Sequence, residues 1–179
     1  MRRICLLISM LGLSAAAMAD NSWASVTSSS GTVAYLGLGL GLTYFRDGDF
    51  KMDHTLRVAD SCLSAFAITE VMKAVIHSPG PDGQSRNSFP STHTGVSFAM
   101  ASMMSHYHPK EAPLWYAGAA AIGYSRITLQ AHRPIDVLAG AAIGYGVSWF
   151  ELRSKKGFLI SPFVAPTDHG LILSLHGTW

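Results

Sequence analysis

The sequence predicts an all-α fold, a helical bundle of about five to six helices followed by a short C-terminal β-hairpin. Apolar segments of helical length recur at about residues 32–45, 56–77, 94–106, 113–128 and 135–152. Breaker-rich stretches, "RDGD", "SPGPDG" and "HPKEAP", separate them. The body of the chain lacks the repeated alternating strands of about ten residues that a membrane barrel requires.

Taken in order, the chain opens with "MRRICLLISMLGLSAAAMAD", which has two arginines, an apolar stretch and the small-residue site Ala17-Met18-Ala19. That is the grammar of a secretory signal peptide over residues 1–19, leaving a single mature domain over 20–179. Export across the inner membrane follows, to the periplasm or to a membrane-associated position with a periplasm-facing site. The Ser/Thr-rich "NSWASVTSSSGT" then reads as a loose lead-in.

The first helix contains "LGLGLGL", and later ones contain "YAGAAAIGY" and "AGAAIGYG", where glycines let helix backbones approach closely. The second, "LRVADSCLSAFAITEVMKAVI", carries Arg57, Asp60, Glu70 and Lys73, as suits a core helix or one lining a polar cavity. Several helices are shorter than the ~20 apolar residues of a membrane span. Even so, 49% hydrophobic residues and a mean hydropathy of +0.25 exceed what a small water-soluble domain needs, which favours membrane association while a helical bundle in lipid and a tight soluble one both stay open. After the helices, "FLISPFV" and "GLILSLHGTW" flank the turn-rich "APTDHG" and read as two strands.

Of the two cysteines, Cys5 lies in the leader and Cys62 in a helix, so no intramolecular disulfide remains after cleavage. A net charge of +2 with 13% charged residues gives no basic stripe, which excludes nucleic acid as a partner.

Chemistry concentrates at two helix boundaries. After Lys73 a polar loop runs to "SFPSTHTG", where a new helix begins near Thr92 or His93. Ser91 and Thr92 are placed to cap that helix, and its free backbone N–H groups and positive dipole end suit an anion. In "SRITLQAHRPIDVLAG", Arg126 supplies a guanidinium, His132 follows, and Asp136 stands four residues after His132. A histidine and carboxylate at that spacing share a helical face, so Asp136 is placed to accept one ring N–H and leave the other nitrogen free. Each residue also has a plain reading: a cap, a surface charge, a core histidine, a first-turn acid.

"PSTH" at 90–93 and "SRITLQAHRPID" at 125–136 resemble the second and third signatures of the type 2 phosphatidic acid phosphatase superfamily, and Lys73 and Pro81 match the ends of its first. Three ordered signatures are far more specific than one. The resemblance implies a helical, metal-free phosphomonoesterase with no cofactor, working through a phosphohistidine. It makes His132 the nucleophile, Asp136 its orienting partner and His93 the general acid and then base. Lys73, Arg126, Ser91 and the Thr92 backbone N–H would hold the phosphoryl oxygens.

Two positions depart from the family pattern. Gly80 stands where the first signature has an arginine, with Arg86 in the same loop as the candidate replacement; Thr92 stands where the second has glycine. Loss of one preorganised charge-stabilising group costs about 3 kcal/mol in the transition state, so reduced activity is expected.

The leading expectation is a phosphatase acting on lipid-linked phosphates such as phosphatidic acid, phosphatidylglycerol phosphate or isoprenyl diphosphate. Its alternatives are a soluble periplasmic non-specific acid phosphatase, a vanadate-dependent haloperoxidase and a phosphate-binding relic. His106 and His108 read as a solvated helix end rather than zinc ligands, His77 as a helix-end histidine, and Glu70 as the ion-pair partner of Lys73.

Overall fold

In the computed structural model, residues 21–81, 83, 87–154, 157, 164–167 and 170–173 are described. The expected signal peptide and Arg86 therefore lie outside the described residues. A short helix α1 (Ser22–Val26) runs through a π turn (Thr27–Gly31) into α2 (Thr32–Arg46). Four longer helices follow: α3 (Lys51–Ile76), α4 (Thr92–Tyr107), α5 (Ala112–Thr128) and α6 (Pro134–Arg153). The five long helices match the apolar segments to within a few residues, the largest difference being the earlier start of α3.

The lead-in expectation is corrected. "NSWASVTSSSGT" is helical because its hydroxyls return to the backbone one turn back: Ser29 Oγ donates to Ser25 O at 2.7 Å and Thr32 Oγ1 to Ser28 O at 3.2 Å. Trp23 stacks on Tyr124 of α5 with ring centroids 6.0 Å apart, and Ala24 is fully buried.

Helix α4 is the central element, contacting α2, α3, α5 and α6. Its Ala99, Met100, Ala101, Met103 and Met104 are wholly buried with Val58, Ala65 and Ala119. Glycines set its crossing with α6. A Cβ on Gly140 would lie 2.4 Å from Ser91 O, and one on Gly144 2.2 Å from Gly95 O, so the two backbones touch where any side chain would intrude. That contact brings the N-termini of α4 and α6 together, and the site is built there.

At the other end of α4, Asp47 Oδ2 meets His54 Nδ1 at 2.6 Å and its Oδ1 lies 3.2 Å from His108 Nε2. His108 is thus paired and largely buried rather than solvated; His106 is exposed. Among the described residues no group of three His, Cys, Asp or Glu side chains could hold a metal ion.

Most of the stretch expected to form the hairpin lies outside the described residues. Its described backbone, Val164–Thr167 and Gly170–Leu173, runs antiparallel with Val164 opposite Leu173, and the site draws nothing from it.

Candidate active site

Four chain segments converge at one end of the bundle: the C-terminus of α3, the loop into α4, the C-terminus of α5 and the turn into α6. Helix α5 closes with Gln130 at φ 55, and the carbonyl of Arg126 accepts the N–H groups of Ala131 (3.1 Å) and His132 (3.2 Å). This tight closure turns the chain back at His132. Pro134 then occupies the first position of α6, where its missing N–H costs nothing.

His132 is 7% exposed. Its Nδ1 lies 3.8 Å from Asp136 Oδ2, beyond hydrogen-bond distance, which corrects the direct contact expected from their spacing. Ser88 stands between them instead. Its hydroxyl donates to Asp136 Oδ2 at 2.6 Å, and its Oγ lies 3.3 Å from His132 Nδ1. Because the one hydroxyl hydrogen goes to the carboxylate, Ser88 Oγ is left to accept from the ring. The relay therefore places hydrogen on Nδ1 and leaves the Nε2 lone pair free. Ser88 is 1% exposed, and its place in "SFPSTH" is the one sequence signal that marks it.

Asp136, fully buried, ties the site together. Its Oδ2 also accepts the Arg133 backbone N–H at 2.9 Å, and its carbonyl accepts the Ser91 N–H at 2.9 Å. The second bond joins the loop before α4 to the first turn of α6.

Ser91 takes the N-cap position of α4 but makes no side-chain cap bond, a correction to its expected role. Its Oγ instead accepts the Thr94 hydroxyl at 2.9 Å. The first bond of the helix runs from Gly95 N–H to Ser91 O at 3.0 Å, leaving the N–H groups of Thr92, His93 and Thr94 without intrahelical partners. Thr92 contributes its side chain too. Lys73 Nζ donates to Thr92 Oγ1 at 2.5 Å and to Glu70 Oε1 at 2.9 Å, and the Thr92 hydroxyl donates to Glu70 Oε1 at 2.6 Å. His77 is an exposed helix-end residue with φ 48.

Arg126 is the main unneutralised charge. Its Nη1 donates to Ser28 Oγ, its Nε is buried without a partner, and no carboxylate pairs with it among the described residues. A half-buried guanidinium left this way lacks a counter-ion.

The electrostatics tie the histidines to these cations. Burial, then Arg126, then Lys73 push His132 down to about 4 against its ordinary 6.5. The same three causes, in the same order, lower His93. Both rings are therefore neutral at neutral pH, and both feel one pair of cations. The His93 ring has no hydrogen-bond partner among the described residues, so it is available to a ligand.

Against known proteins, the model of the family described as "PAP2 superfamily" matches residues 55–158, more than half of the chain. The chain belongs to the PAP2 superfamily. A lipid A 1-phosphatase of Porphyromonas gingivalis is 44% identical over an alignment covering 44% of this chain and 20% of that protein. The bacitracin transport permease protein BcrC of Bacillus licheniformis is 45% identical over 58 residues, 32% of this chain and 29% of its own length. This chain thus aligns with less than a third of either curated relative. The crystal structure of Aquifex aeolicus LpxE superposes with a TM-score of 0.60 at 23% identity, over 73% of this chain and 81% of that one, which establishes a shared fold. All the signatures from Lys73 to Asp136 fall inside the matched PAP2 region, whereas Ser28 lies before it.

Proposed function

We propose that this PAP2 protein is a phosphatase that releases phosphate from lipid-linked esters through a phosphohistidine at His132. One observation carries the reading: the buried His132 and the half-buried His93 stand with Lys73 and Arg126 at the N-terminus of α4, and Arg126 has no carboxylate partner among the described residues. Phosphoryl transfer needs such an arrangement, since it is mainly positioning and neutralisation of charge on the equatorial oxygens.

In this reading His132 Nε2 attacks phosphorus, the bond to the leaving oxygen breaks, and protonated His93 gives its proton to that oxygen. Water then attacks the phosphohistidine while His93 takes the water's proton, and inorganic phosphate leaves with His132 neutral again. Binding supplies the proton on His93, because phosphate charge opposes the depression by Arg126 and Lys73. Arg126, Lys73 and the N–H groups at the start of α4 hold the oxygens. Ser91 and the Thr92 side chain shape the floor of this cradle.

A lipid substrate is favoured by the rim. Val75 and Ile76 follow Lys73, Ile135 and Leu138 flank Asp136, and all four are exposed. Among the described residues one helix, α6, is long and apolar enough to cross a membrane, with only 28% of its window buried. We place the domain, residues 20–179, at the outer face of the inner membrane after removal of residues 1–19 as a signal peptide. Gly80 favours a second reading, a protein that binds phosphate with little turnover, unless Arg86 supplies the missing guanidinium.

The test is phosphate release in mild detergent, with and without chelator, from phosphatidic acid, phosphatidylglycerol phosphate, isoprenyl diphosphate and soluble esters, beside His132→Ala. Chelator-resistant release that needs His132 and ranks lipids first is expected. Equal release by His132→Ala would sink the phosphohistidine, and phosphate binding without release would favour the second reading.

A further inference from the structure

We propose that Ser28 is a positioning residue for Arg126, so that the N-terminal segment of residues 22–31, outside the matched family region, completes the phosphate site. The inference rests on Arg126 being a phosphate ligand, as proposed above.

The contact joins residues 98 apart in sequence: Arg126 Nη1 donates to Ser28 Oγ. Ser28 is 4% exposed, so its hydroxyl is not a solvent group that happens to lie nearby. A guanidinium is a rigid planar fork with five N–H donors. Tying Nη1 to Ser28 fixes the plane of that fork and leaves the edge carrying Nε, which has no partner, for an oxyanion.

The backbone around Ser28 is built for this presentation. Thr27–Gly31 form a π turn, a local widening that recurs at functional sites. Gly31 suits it because a Cβ there would lie 3.0 Å from Val26 O. Thr32 Oγ1 ties the turn by donating to Thr27 O at 3.1 Å and Ser28 O at 3.2 Å. One turn earlier, Trp23 stacks on Tyr124, two residues before Arg126, so the segment is anchored to the helix that carries the arginine. A serine that merely occupied the anion's place would compete with phosphate; one that orients the fork helps it bind.

The experiment measures inorganic phosphate binding to the full-length chain in detergent, by the phosphate-induced rise in melting temperature and by product inhibition. Ser28→Ala should weaken phosphate about five- to tenfold and lower kcat/KM at least as much, the scale of a hydrogen bond that orients a charged group. The melting temperature without phosphate should stay near that of the parent protein, and Ser28→Thr should restore most of the affinity. Parent-like or tighter phosphate binding by Ser28→Ala, beside a loss in Arg126→Ala, would overturn the role of Ser28 while the site reading stands. Unchanged binding by Arg126→Ala would overturn both. A fall in melting temperature with phosphate affinity unmoved would make Ser28 a packing residue and reject the proposal.

Discussion

Ser88 donates its hydroxyl to Asp136 Oδ2 at 2.6 Å, across 48 residues of sequence. The hydroxyl thereby becomes the acceptor for His132 Nδ1 and sets which ring nitrogen is free. Ser88→Ala should lower kcat by roughly ten- to a hundredfold with little change in KM, the usual cost of losing an outer partner of a reacting histidine. Asp136→Asn should cost more, because it removes charge as well as orientation. Steady-state kinetics of both variants would check this, and a parent-like kcat for Ser88→Ala would remove the relay from the mechanism.

The pH profile follows from the two depressed histidines. The proposed reaction needs His132 neutral and His93 protonated. With His132 down to about 4, kcat/KM should fall only below about pH 4, as Nε2 takes a proton. His93 is lowered from its ordinary 6.5, so the alkaline decline should begin below that value. An acid optimum in kcat/KM is the expected outcome, and an optimum on the alkaline side of neutrality would contradict it.

Glu70 lies against the cradle's lysine, its carboxyl lowered first by the Thr92 hydroxyl and then by Lys73, and so it remains charged at neutral pH. Glu70→Gln should free Lys73 toward phosphate and tighten phosphate inhibition by about two- to fivefold, the scale of a partly exposed ion pair. Weaker inhibition would mean that Glu70 positions Lys73 rather than competes for it.

The glycine crossing should be intolerant. Gly140→Ala would set a Cβ 2.4 Å from Ser91 O, whereas at Gly146 nothing lies within 4 Å. The first change should destabilise by about 1–3 kcal/mol and lower activity by displacing Ser91 and His93, while Gly146→Ala is expected to be near neutral. Thermal denaturation of the pair, with activity alongside, distinguishes them.

Gly80→Arg restores the residue of the first signature. If the missing guanidinium limits turnover, kcat/KM should rise by as much as about a hundredfold. No gain would point to Arg86 or another group already filling that place, which Arg86→Ala then tests.

Local pattern made the helices and most of the cradle legible. The apolar segments placed the five long helices to within a few residues, and "PSTH" and "SRITLQAHRPID" named the histidines, Arg126 and Asp136. Two of the corrected readings show the limits of local pattern. The spacing of His132 and Asp136 suggested direct contact, but spacing carries no information about a third side chain arriving from a distant loop. A Ser/Thr-rich lead-in looked unstructured by propensity, yet its hydroxyls bond the preceding turn and its aromatic packs on α5.

The sequence by itself determined the helices and the place along them of the residues proposed to bind and transfer a phosphoryl group, because periodicity, breakers and motif spacing are local properties. Only the tertiary structure decided their partners: Ser88 between His132 and Asp136, Thr92 and Glu70 on Lys73, and Ser28 on Arg126. Those contacts join segments between 19 and 98 residues apart, apart from the local Glu70–Lys73 pair, and packing creates them, above all where glycines let α4 and α6 touch.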